Sequence, residues 1–191
     1  MHSLITTRHI EDYQRDGVVL IKGLFAEYID LVRDGIEANM QSPGPYAAEN
    51  LKPGESGRFF DDYCNWQRIS QFRDVIHLSP AAEVAADLME SQTVQIFHDH
   101  VLVKEPGTSK PTPWHQDSPY YFVEGRQTVS FWSPVDPVSD ASLRCVARAV
   151  SAAPRSDARN ARCCLFARPR NVLAPMRAAA NLHRDEGRRP R

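Results

Sequence analysis

The feature that most limits what this chain can fold into is the split in its make-up near residue 140. Sixteen of its 17 aromatic residues precede Ala141, and Phe166 is the only one after it. The first 140 residues carry 11 Lys and Arg against 21 acids, a balance of -10, whereas residues 141–191 carry 12 Arg, 12 Ala and 3 acids, a balance of +9. A packed core needs large apolar side chains at a regular period, and only the first part supplies them. The expected organisation is therefore a folded unit over 1–140 and an Arg/Ala-rich tail over 141–191, read as out-of-frame or disordered sequence. The whole chain is 191 residues with a net charge of -1, a size that suits a single core. No stretch reaches the length of a membrane span and the amino terminus does not read as a signal peptide, so a cytoplasmic protein is expected. Cys64, Cys145, Cys163 and Cys164 form no Cys-x-x-Cys pair and predict neither a disulfide framework nor a zinc site.

Helices dominate the N-terminal third. Thr6-Thr7 caps a short helix that Asp16-Gly17 stops, and Ala26 to Met40 places Ile29, Leu31, Val32 and Ile36 at helical spacing. Val18-Val19-Leu20-Ile21 between them reads as a buried strand. Residues 41–58 read as a loop, either a lid or a disordered segment. Phe59 to Trp66 reads as a strand, with Asp61-Asp62 suggesting a cation site but better read as solvated acids at its end. Ser79-Pro80 opens a helix to Met89 with Val84, Leu88 and Met89 inward. Strands follow from Thr93 onward, an order that suits α+β architecture with helices packed on a sheet.

Two stretches carry the chemistry. In Thr93–Lys104 the period of two puts His98, His100, Leu102 and Lys104 on one face and Phe97, Asp99, Val101 and Val103 on the other. His98 and His100 are then either a metal pair or wall residues that make hydrogen bonds. Lys104 either orients an anionic ligand or is a strand-end lysine with its head in water. In Pro113-Trp114-His115-Gln116-Asp117-Ser118-Pro119-Tyr120-Tyr121, an imidazole and a carboxylate stand two residues apart and share a face on extended backbone. One His and one carboxylate are two of the three ligands of the facial triad that holds non-haem Fe(II). The bland reading is a turn in which Asp117 bonds nearby amides.

The series Gln95–Thr108 ending in Lys104-Glu105-Pro106-Gly107-Thr108, then Trp114-His115-Gln116-Asp117, then Thr128–Asp136 with Trp132 at its centre resembles the phytanoyl-CoA dioxygenase family over about residues 5–140. The resemblance implies a double-stranded β-helix, a cupin-like jelly roll, preceded by helices and incomplete in this chain. It also implies an Fe(II)/2-oxoglutarate-dependent dioxygenase that hydroxylates a small organic substrate. His115 and Asp117 become metal ligands; His100, Lys104 and Trp132 fall on the 2-oxoglutarate side, with His98, Tyr120 and Tyr121 towards substrate.

After Ala147 the family's next motif, Gly-Ser-His, is replaced by Arg148-Ala149-Val150, and no sustained period of two follows. The family takes its distal His and a 2-oxoglutarate-binding Arg from that region. His183 is the sole histidine after Asp117, so the third ligand is either missing or His183, with Arg184, Arg188 or Arg189 for the carboxylate. A chain without these groups is expected to be truncated in function and inactive. Two alternatives stand beside this reading. One is a non-catalytic protein whose basic tail binds nucleic acid or acidic surfaces, although nucleic acid is not the expected partner. The other is a cupin-like site built from His98, His100 and His115.

Overall fold

The computed structural model describes residues 1–108, 110 and 127–137, together with the backbone of 161–168. It is a mixed helix and sheet structure. Helices α1 (Thr7–Asp16), α2 (Ile29–Gln41), α3 (Ser70–Leu78) and α4 (Ala81–Leu88) accompany a five-stranded antiparallel sheet. The strands are β1 (Ala48–Glu49), β2 (Phe59–Tyr63), β3 (Gln95–Lys104), β4 (Val129–Trp132) and β5 (Ala161–Arg168), in the order β1-β2-β3-β5-β4.

The helix boundaries follow local chemistry. The Thr6 hydroxyl accepts from His9 N at 3.2 Å while His9 Nδ1 accepts from Thr6 N at 3.3 Å, so the first turn is capped from both sides. Histidine here fills the place that Glu or Gln usually takes in this reciprocal arrangement. Gly17, at φ 73°, ends the helix with its N–H on the Tyr13 carbonyl, a left-handed cap that glycine adopts without strain. The Ser79 hydroxyl accepts from Ala81 N at 3.4 Å at the start of α4.

Burial separates the two faces of the sheet. Phe60, Val101, Val103, Val129 and Phe131 join one core with Val32 and Ile36 of α2, Phe72 and Val75 of α3, and Val84 and Leu88 of α4. On the other face β2 presents Phe59, Asp61 and Tyr63 opposite Lys104, Leu102 and His100 of β3. The alternation expected for β3 is thus present, with Asp99, Val101 and Val103 on the core face. Tyr13 donates to the Thr128 carbonyl at 2.6 Å and Gln127 to that of Met89 at 3.0 Å, which fixes the segment entering β4 to α1 and α4.

Two expectations need correction. Val18 to Ile21 is not a strand: it has no partner ladder among the described residues, Leu20 is 48 % exposed, and Val19 and Ile21 only flank the core. An apolar β-branched run fits a strand only where a neighbour accepts its backbone, and none of the described residues does. Asp61 and Asp62 are not solvated acids; Asp62 is fully buried and Asp61 partly buried, for reasons given below. In the tail, the backbone of 161–168 forms β5, paired to β3 on one side and β4 on the other. Helix α3 escaped the sequence reading, although Phe72, Val75 and Ile76 stand at helical spacing.

Candidate functional site

The second face of the sheet gathers several of the residues singled out from sequence. The ladder pairs Tyr63 with His100, His100 with position 164, and position 164 with Trp132. Tyr63, His100 and Trp132 therefore fall in one row across the sheet, with Trp132 and Ser130 opposite the core-facing Val129 and Phe131. The β3–β5 ladder shifts register between Ile96 and Asp99 and again between His100 and Val103. Such bulges bend a strand and re-aim its side chains, and these two bracket His100.

Within this row the Tyr63 ring stacks on the His100 imidazole, with centroids 3.9 Å apart at 21°, and meets the His98 ring edge-on at 5.7 Å. Asp61 Oδ2 lies 3.7 Å from His100 Nε2, and the Nε2 atom is buried without a hydrogen bond among the described residues. Asp61 Oδ1 accepts from Asn50 Nδ2 at 2.7 Å. One carboxylate thus touches both the 41–58 loop and the imidazole. Lys104 is not a lysine with its head in water: the residue is 7 % exposed, and its ammonium lies 4.2 Å from the Phe59 ring centroid and donates to the Lys110 carbonyl at 3.2 Å. A buried ammonium over an aromatic face is held by the ring's electron-rich surface. The loop is fastened to the segment after β3. Glu105 N and the Thr108 hydroxyl both donate to the Arg58 carbonyl, and Lys110 Nζ donates to that of Asn50.

The core face holds the remaining acids, and they serve the fold. Asp62 Oδ2 accepts from Asn39 Nδ2 and from Gly44 N, each at 2.7 Å, with the Arg68 guanidinium 3.7 Å away. It joins β2 to the end of α2 and to the turn before α3. Asp99 Oδ1 accepts from the backbone of Asn65 at 2.8 Å and Trp66 at 2.9 Å, holding the same turn from β3, while its buried Oδ2 has no partner among the described residues. Burial pushes the Asp99 carboxyl above the usual carboxylate range, against the lowering effect of those amides. Burial, with help from Asp99 and Asp62, also pushes the Cys64 thiol up to about 11. Cys64 is a free thiol.

His100, Lys104, Trp132 and His98 are thus on or beside one face. His115, Asp117, Tyr120, Tyr121 and His183, and with them Arg184, Arg188 and Arg189, lie outside the described residues. Among the described residues no group of three His, Cys, Asp or Glu side chains could hold a metal ion, and no helix is long and apolar enough to cross a membrane. Sequence reading missed Asp61, whose two neighbours come from a loop 11 residues away and a strand 39 residues away; no local pattern marks such a contact. No curated protein and no solved structure matches the chain. A family model does: phytanoyl-CoA dioxygenase (PhyH) matches residues 13–146, which runs from the last turn of α1 through β4 and includes Tyr63, His100 and Trp132. The chain belongs to the phytanoyl-CoA dioxygenase family.

Proposed function

We propose that this chain is an Fe(II)/2-oxoglutarate-dependent oxygenase scaffold that acts on a small organic substrate, with residues 1–140 as its cosubstrate-binding unit. The family generally comprises dioxygenases of this cofactor type. The observation that carries the proposal is the placement of His100, Lys104 and Trp132 on the sheet face away from the helical core, with a buried ammonium among them. A double-stranded β-helix would be completed by strands beyond those described. His115 and Asp117 would hold the metal, and their donor set, one neutral imidazole and one carboxylate, suits Fe(II). Bound together, iron and the ketoacid supply the oxidising power that breaks a substrate C–H bond with dioxygen. The protein's own share is positional. Lys104 offers charge to a carboxylate, Trp132 and Tyr63 wall the face, and His98, Tyr120 and Tyr121 lie towards substrate.

The family match stops at residue 146, a few residues into the Arg/Ala-rich tail that begins at 141, and we place the unit boundary at 140. This leaves His183 as the one histidine in the tail to complete the triad. The test is Fe(II)-dependent turnover of 2-oxoglutarate by the full chain, by His115→Ala and by His183→Ala. Turnover that disappears in His115→Ala supports the oxygenase, and its loss in His183→Ala identifies the third ligand. Turnover absent from the full chain, or indifferent to His115, refutes the assignment for this chain.

A further inference from the structure

At the end of β3, two stretches of backbone from distant parts of the chain pack with no room for a side chain between them. One is the 50–58 loop of the β1–β2 hairpin, and the other is the run from Lys104 to Lys110. Gly57, at φ 82°, faces that run. A Cβ there would stand 2.5 Å from the Thr108 amide nitrogen, 3.0 Å from the Gly107 carbonyl carbon and closer still to the Thr108 hydroxyl. From the other side, a Cβ at Gly107 would stand 2.7 Å from Ser56 Oγ. Such close backbone approach needs glycine. Three bonds cross the same gap. The Arg58 carbonyl accepts the Glu105 N–H at 2.9 Å and the Thr108 hydroxyl at 2.8 Å, and the Asn50 carbonyl accepts the Lys110 ammonium. The loop is itself fixed to the sheet, where Asn50 donates from its backbone to Phe59 and from its side chain to Asp61, each at 2.7 Å. Gly54, at φ 90° in the same loop, is different: nothing lies within 4 Å of its Cβ position.

We propose, on the oxygenase reading above, that the 50–58 loop is a brace that fixes where the chain sets out for His115 and Asp117, with Gly57 as its positioning residue. Lys110 stands five positions before His115 and Lys104 eleven. Five residues of chain reach at most about 18 Å, so a fixed Lys110 confines His115 to that radius. With the turn released, the count would start at Lys104 and the radius would grow to about 40 Å. A donor confined in advance gives up less conformational freedom when it meets the ion. The loop acts through the turn it grips, and Gly57 serves by leaving space: its missing side chain lets Thr108 close onto Arg58.

The experiment compares the full chain with Gly57→Ala, Gly54→Ala, Thr108→Val and His115→Ala. Both glycine variants put a side chain on left-handed backbone, but only Gly57→Ala pushes on Thr108; Thr108→Val removes just the hydroxyl bond to Arg58. Amide exchange of the metal-free proteins should quicken at Glu105 and Thr108 in Gly57→Ala and hold its wild-type rate there in Gly54→Ala. Mn(II), which the tail thiolates hold poorly, is then titrated, with the free ion read by electron paramagnetic resonance. Its His115-dependent dissociation constant should rise about tenfold in Gly57→Ala, the low end of what losing a supporting partner costs a metal site. It should rise less in Thr108→Val and stay at the wild-type value in Gly54→Ala. Should Gly57→Ala not fold in a urea titration, Thr108→Val decides by the same two readings. Unchanged exchange overturns the brace. Faster exchange with unchanged Mn(II) affinity overturns the positioning role, as do equal losses of affinity in the two glycine variants. Mn(II) binding that is absent from the wild type, or indifferent to His115, removes the oxygenase reading and the positioning role with it; the exchange rates, read without metal, distinguish that failure from one of the brace itself.

Discussion

Removing the Asp99 carboxylate tests how the turn between β2 and α3 is held. Oδ1 accepts from two backbone amides, those of Asn65 and Trp66, and Asn65 is fully buried. In Asp99→Ala both donors lose their partner. With a desolvation cost of about 1–3 kcal/mol per stranded group, and partial relief at the less buried Trp66, the loss should be about 3 kcal/mol. Asp99→Asn keeps an acceptor oxygen for the two amides and should lose no more than about 1 kcal/mol at pH 4. The two variants also separate charge from hydrogen bonding through pH. Burial raises the folded carboxyl's pKa, so the folded state holds this proton more tightly than the unfolded chain does. The stability contributed by that proton is fully present below the unfolded value near 4 and is lost as pH rises through the higher folded value. Relative to Asp99→Asn, the wild type should therefore lose ground as pH climbs from about 4, and the asparagine variant should equal or exceed it near neutrality. Urea denaturation of the three proteins at closely spaced pH values from 4 to 7 reads both effects. An alanine variant within about 0.5 kcal/mol of wild type would refute the clamp, and a pH-independent gap between wild type and Asp99→Asn would refute the burial argument.

Other perturbations follow from single contacts. A Cβ at Gly44 would stand 2.4 Å from Asn65 Oδ1 and 3.0 Å from Asp62 Oδ2, so Gly44→Ala should cost about 1–3 kcal/mol in a thermal melt; an unchanged melting temperature would show that the Asp62 network yields easily. Thr6→Ala removes the hydroxyl that caps α1 and should cost about 1 kcal/mol, seen as a lower urea midpoint, and Thr6→Ser should restore most of it. Because the Cys64 thiol is pushed up to about 11, alkylation of the native protein at pH 8 should be far slower at Cys64 than at an unfolded-chain cysteine, as mass spectrometry of the modified peptide would report; equal rates with and without denaturant would contradict its burial. Salt-sensitive retention of the full chain on nucleic acid, lost when 141–191 is deleted, would bring forward the non-catalytic alternative.

The parts of the fold that could be read from sequence are those in which one element carries its own pattern. Helix α2 declared itself through Val32 and Ile36, helix α4 through Val84 and Leu88, and strand β3 through an alternation that burial of Asp99, Val101 and Val103 reproduces. What sequence could not deliver depends on partners far along the chain. Val18 to Ile21 has strand composition but no neighbour to pair with among the described residues, whereas 161–168 has little strand composition and pairs on both edges. Asp61 and Asp62 look alike until Asn39, Gly44 and Arg68 are brought to one of them and His100 to the other. On the site, a period of two sorts His100 and Lys104 onto one face of β3, whereas Trp132 was singled out by the family resemblance. The roles of His115, Asp117, Tyr120, Tyr121 and His183 rest on the motif and the family, since these residues lie outside those described.

The run Phe59-Phe60-Asp61-Asp62-Tyr63 has a further consequence for how β2 finds its place. Two phenylalanines followed by two aspartates carry no alternation, so greasiness alone cannot tell this strand which way to face. Sliding it by one position would put Phe59 where Phe60 sits and Asp61 where Asp62 sits, each a like-for-like exchange, but it would carry Phe60 to the place beside Asn50 and His100 and Asp62 to the place that stacks on His100. The far face thus acts as the key, and a change that made both Asp61 and Tyr63 apolar would leave the strand free to dock in either of two alignments.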